Sequence, residues 1–183
     1  MEQGKRLRAD GQRNRERIVE VASELVAREG AQASLEEIAR RAGVGSATLH
    51  RHFPSRQALL EAVFRDGVAQ LCARGAARPG ARPADELEAW LEEVTVYTST
   101  HQGLAAALLA GPEGLPAEDI CCTDMVLDVL KVLVSRASSA GALQAGATAE
   151  DLLMLANAIA IANENEPATA RRVLRLALTG IRR

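Results

Sequence analysis

The segment Ser46–His52 is rich in hydroxyl, guanidinium and imidazole side chains that suit hydrogen bonding to nucleic acid. Hydroxyl and guanidinium groups can pair with base edges and phosphate oxygens, and a small side chain allows close approach to a base. We expect Thr48 and Arg51 to read bases, with the histidines at phosphates or at the end of the segment. The outward set consists of Ser46, Ala47, Thr48, His50, Arg51 and His52.

A helix and a tight turn before this segment would position it. Ser34 is a suitable N-cap, and Glu37, three residues later, would complete a capping box. Gly43 follows the last apolar residue of that helix, where a left-handed backbone is favoured. The pattern therefore predicts a first helix at about 35–42 that ends in a sharp turn.

A second helix follows the turn. It begins near Ser46, buries Leu49 and Phe53, which lie four residues apart, and stops at Pro54. With an amphipathic helix before the pair, this is a helix-turn-helix whose second helix can enter the major groove of DNA. Further DNA contacts are expected from Ser34, Gly45 and Arg56.

A wider set of residues shares one register with this motif: Arg17, Ile18, Ala22, Leu25, Gly30, Ile38, Ala39, Ala42, Gly43, Val44, Thr48, Leu49, His52, Phe53 and Leu59. Through these residues the segment resembles the N-terminal domain of the TetR (tetracycline-repressor-like) family of regulators. The resemblance implies an all-α homodimer that binds a double-stranded DNA operator, most often as a repressor released by an unknown small-molecule effector. We expect no cofactor and no metal.

Charge is divided unevenly along the chain. Residues 1–65 have a net charge of +3 and residues 66–183 a net charge of −5. The basic excess near the N-terminus fits phosphate contact, although basic termini can also be solvated tails. The N-terminal cations are Lys5, Arg6, Arg8, Arg13, Arg15 and Arg17.

The sequence predicts an all-α fold of about nine helices, because alanine and leucine dominate and no β-branched run alternates with a period of two. We expect a flexible basic arm at 1–12, a helix-turn-helix domain at 13–55 and a helical effector-binding and dimerisation domain at 56–183. The latter would hold separate helices at about 83–99 and 102–110, a loop at 111–116, and helices at about 117–139, 149–163 and 167–180.

A ligand pocket is one interpretation of the polar and soft side chains in the second domain. Trp90, Tyr97 and His101 are spaced by seven and four residues, which would place them on one helix face if the helix expected at about 83–99 extends as far as His101. The alternative is that these residues form the domain core. The candidate pocket residues are Trp90, Tyr97, His101, Cys121, Met125 and Met154.

The last two helices are expected to form the dimer interface. Their apolar positions could instead be buried within one subunit, and the pattern alone leaves both possibilities open. The candidate interface residues are Leu152, Leu155, Ala156, Ile159, Val173, Leu174, Ala177 and Leu178.

Other function classes find less support. The chain has three histidines and no phosphate-binding loop, nucleophile elbow or HExxH motif, so we predict that it is not an enzyme. A helical protein-interaction module without DNA binding is the other alternative. Without a signal peptide or an apolar run of about 20 residues, the chain is expected to be cytoplasmic.

Overall fold

The computed structural model describes the backbone of residues 2–76, 82–109 and 120–180, and the side chains of residues 9–75, 82–101 and 122–180. These residues form eight α-helices and no β-strand. The helices are α1 (Glu2–Glu29), α2 (Leu35–Arg41), α3 (Ser46–His52), α4 (Arg56–Ala76), α5 (Pro83–Leu109), α6 (Ile120–Ser139), α7 (Ala149–Ala162) and α8 (Pro167–Thr179), with a short 3-10 turn at Gly30–Gln32.

The chain divides into two compact units. The first comprises Met1–Gly67 and Gly103–Gly114, and the second comprises Val68–Gln102 and Leu115–Arg183. The division falls inside α4, between Gly67 and Val68, so the first unit extends beyond the boundary expected at residue 55. The first turns of α4 belong with the first unit because they bury Leu59, Leu60 and Val63 there.

The first unit is built from α1, α2, α3 and the start of α4. Its fully buried side chains come from all four helices, so each amphipathic face contributes to one core. Burying one such side chain stabilises the fold by about 1.5–3 kcal/mol. The largest are Ile18, Leu25, Ile38, Leu49 and Leu59.

Helix α1 differs from the sequence-based expectation. Residues 2–12 are helical, not an irregular arm. Gln12 donates to Glu16 over 2.8 Å, and Arg13 pairs with Asp10. Because an existing helix extends at low cost, strong helix-forming residues such as lysine, arginine and glutamine prolong it towards the N-terminus.

Helix α5 also differs, since the two helices expected at 83–99 and 102–110 are one continuous helix, Pro83–Leu109. A single glycine costs a helix interior only about 1 kcal/mol relative to alanine. The alanines and leucines that follow Gly103 outweigh that cost. The loop expected at 111–116 lies outside the described residues.

The second unit is built around Trp90 of α5. Its indole is fully buried, and Nε1–H donates to the carbonyl oxygen of Leu71 in α4 over 3.1 Å. Gly75 of α4 leaves room for the ring, because a Cβ there would lie 2.7 Å from Trp90 Cδ1 and from Val129 Cγ1. A close α4–α5 approach therefore holds this core together.

The last helices have the predicted bounds and caps. Thr148 caps α7, and Asp151 completes a reciprocal capping box, as the sequence predicted. Pro167 opens α8 at its first turn. The α7–α8 turn is joined to α5, because the backbone N–H of Asn165, at φ 60°, donates to the carbonyl oxygen of Ser99 over 3.0 Å.

Candidate nucleic-acid interface

The turn between α2 and α3 is fixed by its own backbone. Gly43 has φ +65°, and its N–H donates to the carbonyl oxygen of Arg40 over 3.2 Å. The next N–H, of Val44, donates to the carbonyl oxygen of Ala39 over 3.0 Å. This pair of hydrogen bonds is a Schellman motif, which confirms the left-handed cap predicted at Gly43.

Two arginines from flanking helices hold the ends of α2. Arg17 of α1 donates through Nε to the carbonyl oxygen of Ala42 over 2.6 Å. Arg56 of α4 donates through NH1 to the carbonyl oxygen of Ala33 over 2.5 Å and to that of Ala31 over 3.2 Å. The guanidinium of Arg56, proposed from the sequence as a DNA contact, is therefore engaged with the backbone just before α2.

Helix α3 presents one face to solvent. Gly45 is its N-cap, without a side-chain cap hydrogen bond, and Ser46 is its first residue. On the opposite face Leu49 is buried, and Phe53 after the helix end is buried beneath the guanidinium of Arg15, whose Cζ lies 5.2 Å from the ring centroid. Ser46, Ala47, His50 and Arg51 are exposed, and Thr48 and His52 are half-buried.

The start of α2 carries only half of the predicted capping box. Ser34 Oγ accepts from the backbone N–H of Glu37 over 3.3 Å, as expected. The Glu37 carboxylate, however, binds Arg40 and Arg41 and does not return to the N-cap backbone. Sequence reasoning missed this cluster, although carboxylate and guanidinium groups three and four residues apart on a helix are a recognisable signal.

The candidate pocket residues are not brought together as a set. The indole of Trp90 is fully buried and hydrogen-bonded, as expected if Trp90 belongs to the domain core and not to a ligand pocket. Met154 is 65% exposed on α7, so it lies on the surface. Met125 is half-buried, and the side chain of Cys121 lies outside the described residues.

Tyr97 and His101 do meet on α5. Their rings are stacked with centroids 4.1 Å apart, and His101 Nδ1 lies 2.8 Å from the carbonyl oxygen of Tyr97. Burial lowers the pKa of His101, and the hydrogen bond to Tyr97 opposes this only partly. The imidazole is therefore neutral near pH 7, with Nδ1 as the donor to the carbonyl.

The two cysteines whose side chains are described form no disulfide. Cys72 and Cys122 are both buried. Burial raises the pKa of the Cys72 thiol, and the nearby Cys122 raises it further. Thiols held in this way are poor nucleophiles, which fits a packing role.

The candidate dimer residues fall into two groups. Leu155, Val173 and Ala177 are half-buried. The other five are buried within the single chain, as the intrachain alternative expects: Leu152, Ala156, Ile159, Leu174 and Leu178. The large apolar side chains that are exposed on these two helices are Met154, Ile161 and Leu176.

The described residues contain neither a metal-binding cluster nor a membrane-spanning helix. Where side chains are described, no group of three or more histidine, cysteine, aspartate or glutamate residues is placed to hold a metal ion. Within the same part of the chain, no helix is long and apolar enough to cross a membrane.

Two family models match this sequence. The model described as bacterial regulatory proteins, tetR family, matches residues 18–63, which contain α2, α3 and the turn between them. The model described as the C-terminal domain of SbtR-like transcriptional regulators matches residues 82–183. No curated protein sequence gives a significant match.

Solved structures with the same fold include two above 30% identity. A TetR transcriptional regulator from Streptomyces coelicolor has 33% identity and a TM-score of 0.75, with 92% of this chain and 98% of that chain covered. A TetR regulatory protein from Mycobacterium vanbaalenii has 32% identity and a TM-score of 0.71, with 97% and 99% covered. A transcriptional regulator from Saccharomonospora viridis in complex with choline shares the fold at 20% identity and a TM-score of 0.69, with 92% and 97% covered.

Proposed function

Because the chain belongs to the TetR family and is a DNA-binding transcriptional regulator, we propose that it is a homodimeric repressor that a small-molecule ligand releases from its operator. It would act in the cytoplasm, where bacterial DNA lies. The exposed face of α3 is the observation that carries this proposal. Ser46, Ala47 and Arg51 are free to approach base edges there, on a helix whose entry turn is fixed.

The fixed turn matters because base reading needs a helix held at a constant angle. The hydrogen bonds from Arg17 and Arg56 satisfy backbone carbonyls at the two ends of α2. Unsatisfied buried carbonyls cost about 1–3 kcal/mol each, so these contacts resist displacement of α2 and α3. In a helix-turn-helix, α2 would cross the phosphate backbone while α3 enters the major groove.

Two copies would be needed to read a full operator. Helix-turn-helix dimers bind half-sites that are one helical turn of DNA, about 34–36 Å, apart. We assign the dimer surface to the exposed stripe Met154, Ala158 and Ile161 of α7, which lines a surface groove with Leu127 and Leu153. Large exposed apolar side chains at helical spacing are typical of an association surface.

The dimer surface can be tested by charge insertion. Ile161→Glu places a carboxylate in the stripe and is expected to convert the dimer to monomer in sedimentation experiments. Val132→Glu is the matched control, because Val132 is 58% exposed on α6 but does not line the groove. Dissociation of the control alone, or of neither variant, would place the interface elsewhere.

Release from DNA would follow from a difference in ligand affinity between two arrangements of the dimer. A ligand that prefers the arrangement unable to span both half-sites lowers operator affinity by the ratio of its two affinities. We place Tyr97 and His101 among the ligand contacts, since their stacked rings offer an aromatic face and a neutral imidazole. The choline-bound neighbour supports the view that this fold can hold a small ligand.

Footprinting on the DNA upstream of the chain's own gene tests the proposal. We expect a protected site with two related half-sites, and affinity that falls as salt rises. A screen of small molecules against the labelled site would then identify compounds that release the protein. If neither this DNA nor any duplex selected from a random pool binds in a salt-dependent way, the proposal fails and a protein-interaction module is the better interpretation.

A further inference from the structure

A compact ion-pair cluster occupies the exposed side of α2. Glu37 Oε2 accepts from Arg40 Nε over 2.8 Å, and Glu37 Oε1 accepts from Arg40 NH2 over 2.7 Å. Glu37 Oε1 also accepts from Arg41 Nε over 2.7 Å. One carboxylate therefore engages two guanidinium groups, one of them through two parallel hydrogen bonds, which is the strongest geometry available to such a pair.

The cluster lies beside the expected DNA surface. Arg40 and Arg41 are in the last turn of α2, and Arg41 is followed after four residues by Ser46, the first residue of α3. The Arg40 side chain is 71% exposed and that of Arg41 is 38% exposed, so both face solvent. If α2 crosses the phosphate backbone, exposed cations on this helix are within reach of phosphate oxygens.

We propose that Glu37 withholds Arg40 and Arg41 from DNA phosphates, which lowers sequence-independent affinity and leaves specificity to α3. The proposal rests on the DNA-binding function above and adds a specificity-determining residue to it. Phosphate contacts by arginine raise affinity for every duplex equally, because they carry no sequence information. When such phosphate contacts are limited, a regulator discriminates better between its operator and unrelated DNA.

The Glu37 carboxylate is well suited to compete with DNA phosphates for Arg40 and Arg41. Hydrogen bonds from Arg40 and Arg41 lower the pKa of Glu37 to about 2, so the carboxylate is ionised at neutral pH. The same pairing raises the pKa of Arg40. A DNA phosphate must therefore displace the charged Glu37 carboxylate from an arginine before it can bind that arginine. Binding to both Arg40 and Arg41 requires that both ion pairs with Glu37 be broken.

Glu37→Gln tests the proposal, with Glu36→Gln as the matched control. The two carboxylates are neighbours in the first turn of α2, and Glu36 is exposed without a described ion pair. Each variant removes one negative charge, but only Glu37→Gln releases the arginines. The N-cap is retained in both, because Ser34 accepts from the backbone N–H of residue 37.

The measurement is the affinity for a duplex of unrelated sequence across a range of salt concentrations. For Glu37→Gln we expect about two- to tenfold tighter binding at low salt than for Glu36→Gln, since each released exposed pair is worth up to about a fivefold change. The slope of log affinity against log salt should steepen by up to about 2 units, one for each released arginine. Adding Arg40→Gln and Arg41→Gln to Glu37→Gln should abolish both effects.

The converse experiment keeps the proposal testable if Glu37→Gln is poorly folded. In the otherwise unchanged protein, Arg40→Gln should alter binding to unrelated duplex by less than about twofold, because that arginine is already withheld. Equal behaviour of Glu37→Gln and Glu36→Gln, or a large loss for Arg40→Gln alone, would overturn the proposal while leaving DNA binding intact. Absence of DNA binding by the unmodified protein would instead refute the proposed function.

Discussion

Gly75→Ala should destabilise the second unit strongly, although alanine is the better helix former. A Cβ at this position would lie 2.7 Å from Trp90 Cδ1 and 2.7 Å from Val129 Cγ1. It would also meet Trp90 Nε1, the atom that donates to the carbonyl oxygen of Leu71. Neither the fully buried indole nor the backbone of α4 can move without opening the core.

The magnitude follows from three contributions. Overpacking a core costs about 1–3 kcal/mol. Misaligning the buried indole hydrogen bond costs about 1–3 kcal/mol more. Replacing a helical glycine by alanine returns only about 0.5–1 kcal/mol. The free energy of unfolding should therefore fall by about 1–5 kcal/mol.

Urea unfolding monitored by far-ultraviolet circular dichroism gives this free energy. Gly11→Ala is the control, because Gly11 is also helical and has nothing within 4 Å of an added Cβ. It should stabilise the protein by about 0.5–1 kcal/mol. A Gly75→Ala protein that is as stable as the unmodified one would refute the packing argument.

Three further predictions concern residues 1–12, Gly67 and His101. Removing residues 1–12 takes away Lys5, Arg6 and Arg8 and should flatten the salt dependence of DNA affinity by up to about 3 units; an unchanged slope would mean that these residues do not contact phosphate. Gly67 lies within α4 at the division between the units, and a glycine there would let the helix bend during release from DNA. Gly67→Ala should therefore stabilise α4 by up to about 1 kcal/mol and weaken release by a compound from the small-molecule screen; a destabilised variant with normal release would exclude this hinge. Because burial lowers the pKa of His101 from 6.5, its stabilising contribution is complete above that value and declines below it. The melting temperature should therefore fall more from about pH 7.5 to about 5.5 in the unmodified protein than in His101→Gln, and parallel curves would contradict this.

Local signals in the sequence were enough to predict the helix-turn-helix. Gly43, Leu49 and Phe53 lie where the pattern placed them, because a left-handed cap and a four-residue apolar spacing act over only a few residues. Glu37 was harder to predict, since its carboxylate had two sets of partners within reach. In the structure the Glu37 carboxylate accepts hydrogen bonds from two guanidinium groups. These bonds are charge-assisted and stronger than the one that a single backbone N–H provides.

Longer-range features could not be predicted in this way. Apolar periodicity on α7 and α8 shows that a face is buried but does not say against what, so Leu152 and Leu174 were compatible with either an intrachain core or a dimer interface. The same ambiguity applied to Trp90, whose partner Leu71 is 19 residues away. Only the packing of the helices distinguishes these alternatives.

Operator affinity of Arg51→Ala tests the central claim most directly, which is that the exposed face of α3 reads DNA. Arg172→Ala serves as the control, because Arg172 is an exposed arginine on α8 in the other unit and its loss changes the net charge equally. We predict that Arg51→Ala weakens operator binding by about 1–3 kcal/mol, about 5- to 150-fold, while Arg172→Ala matches the unmodified protein. Equal affinities for all three proteins would contradict the account.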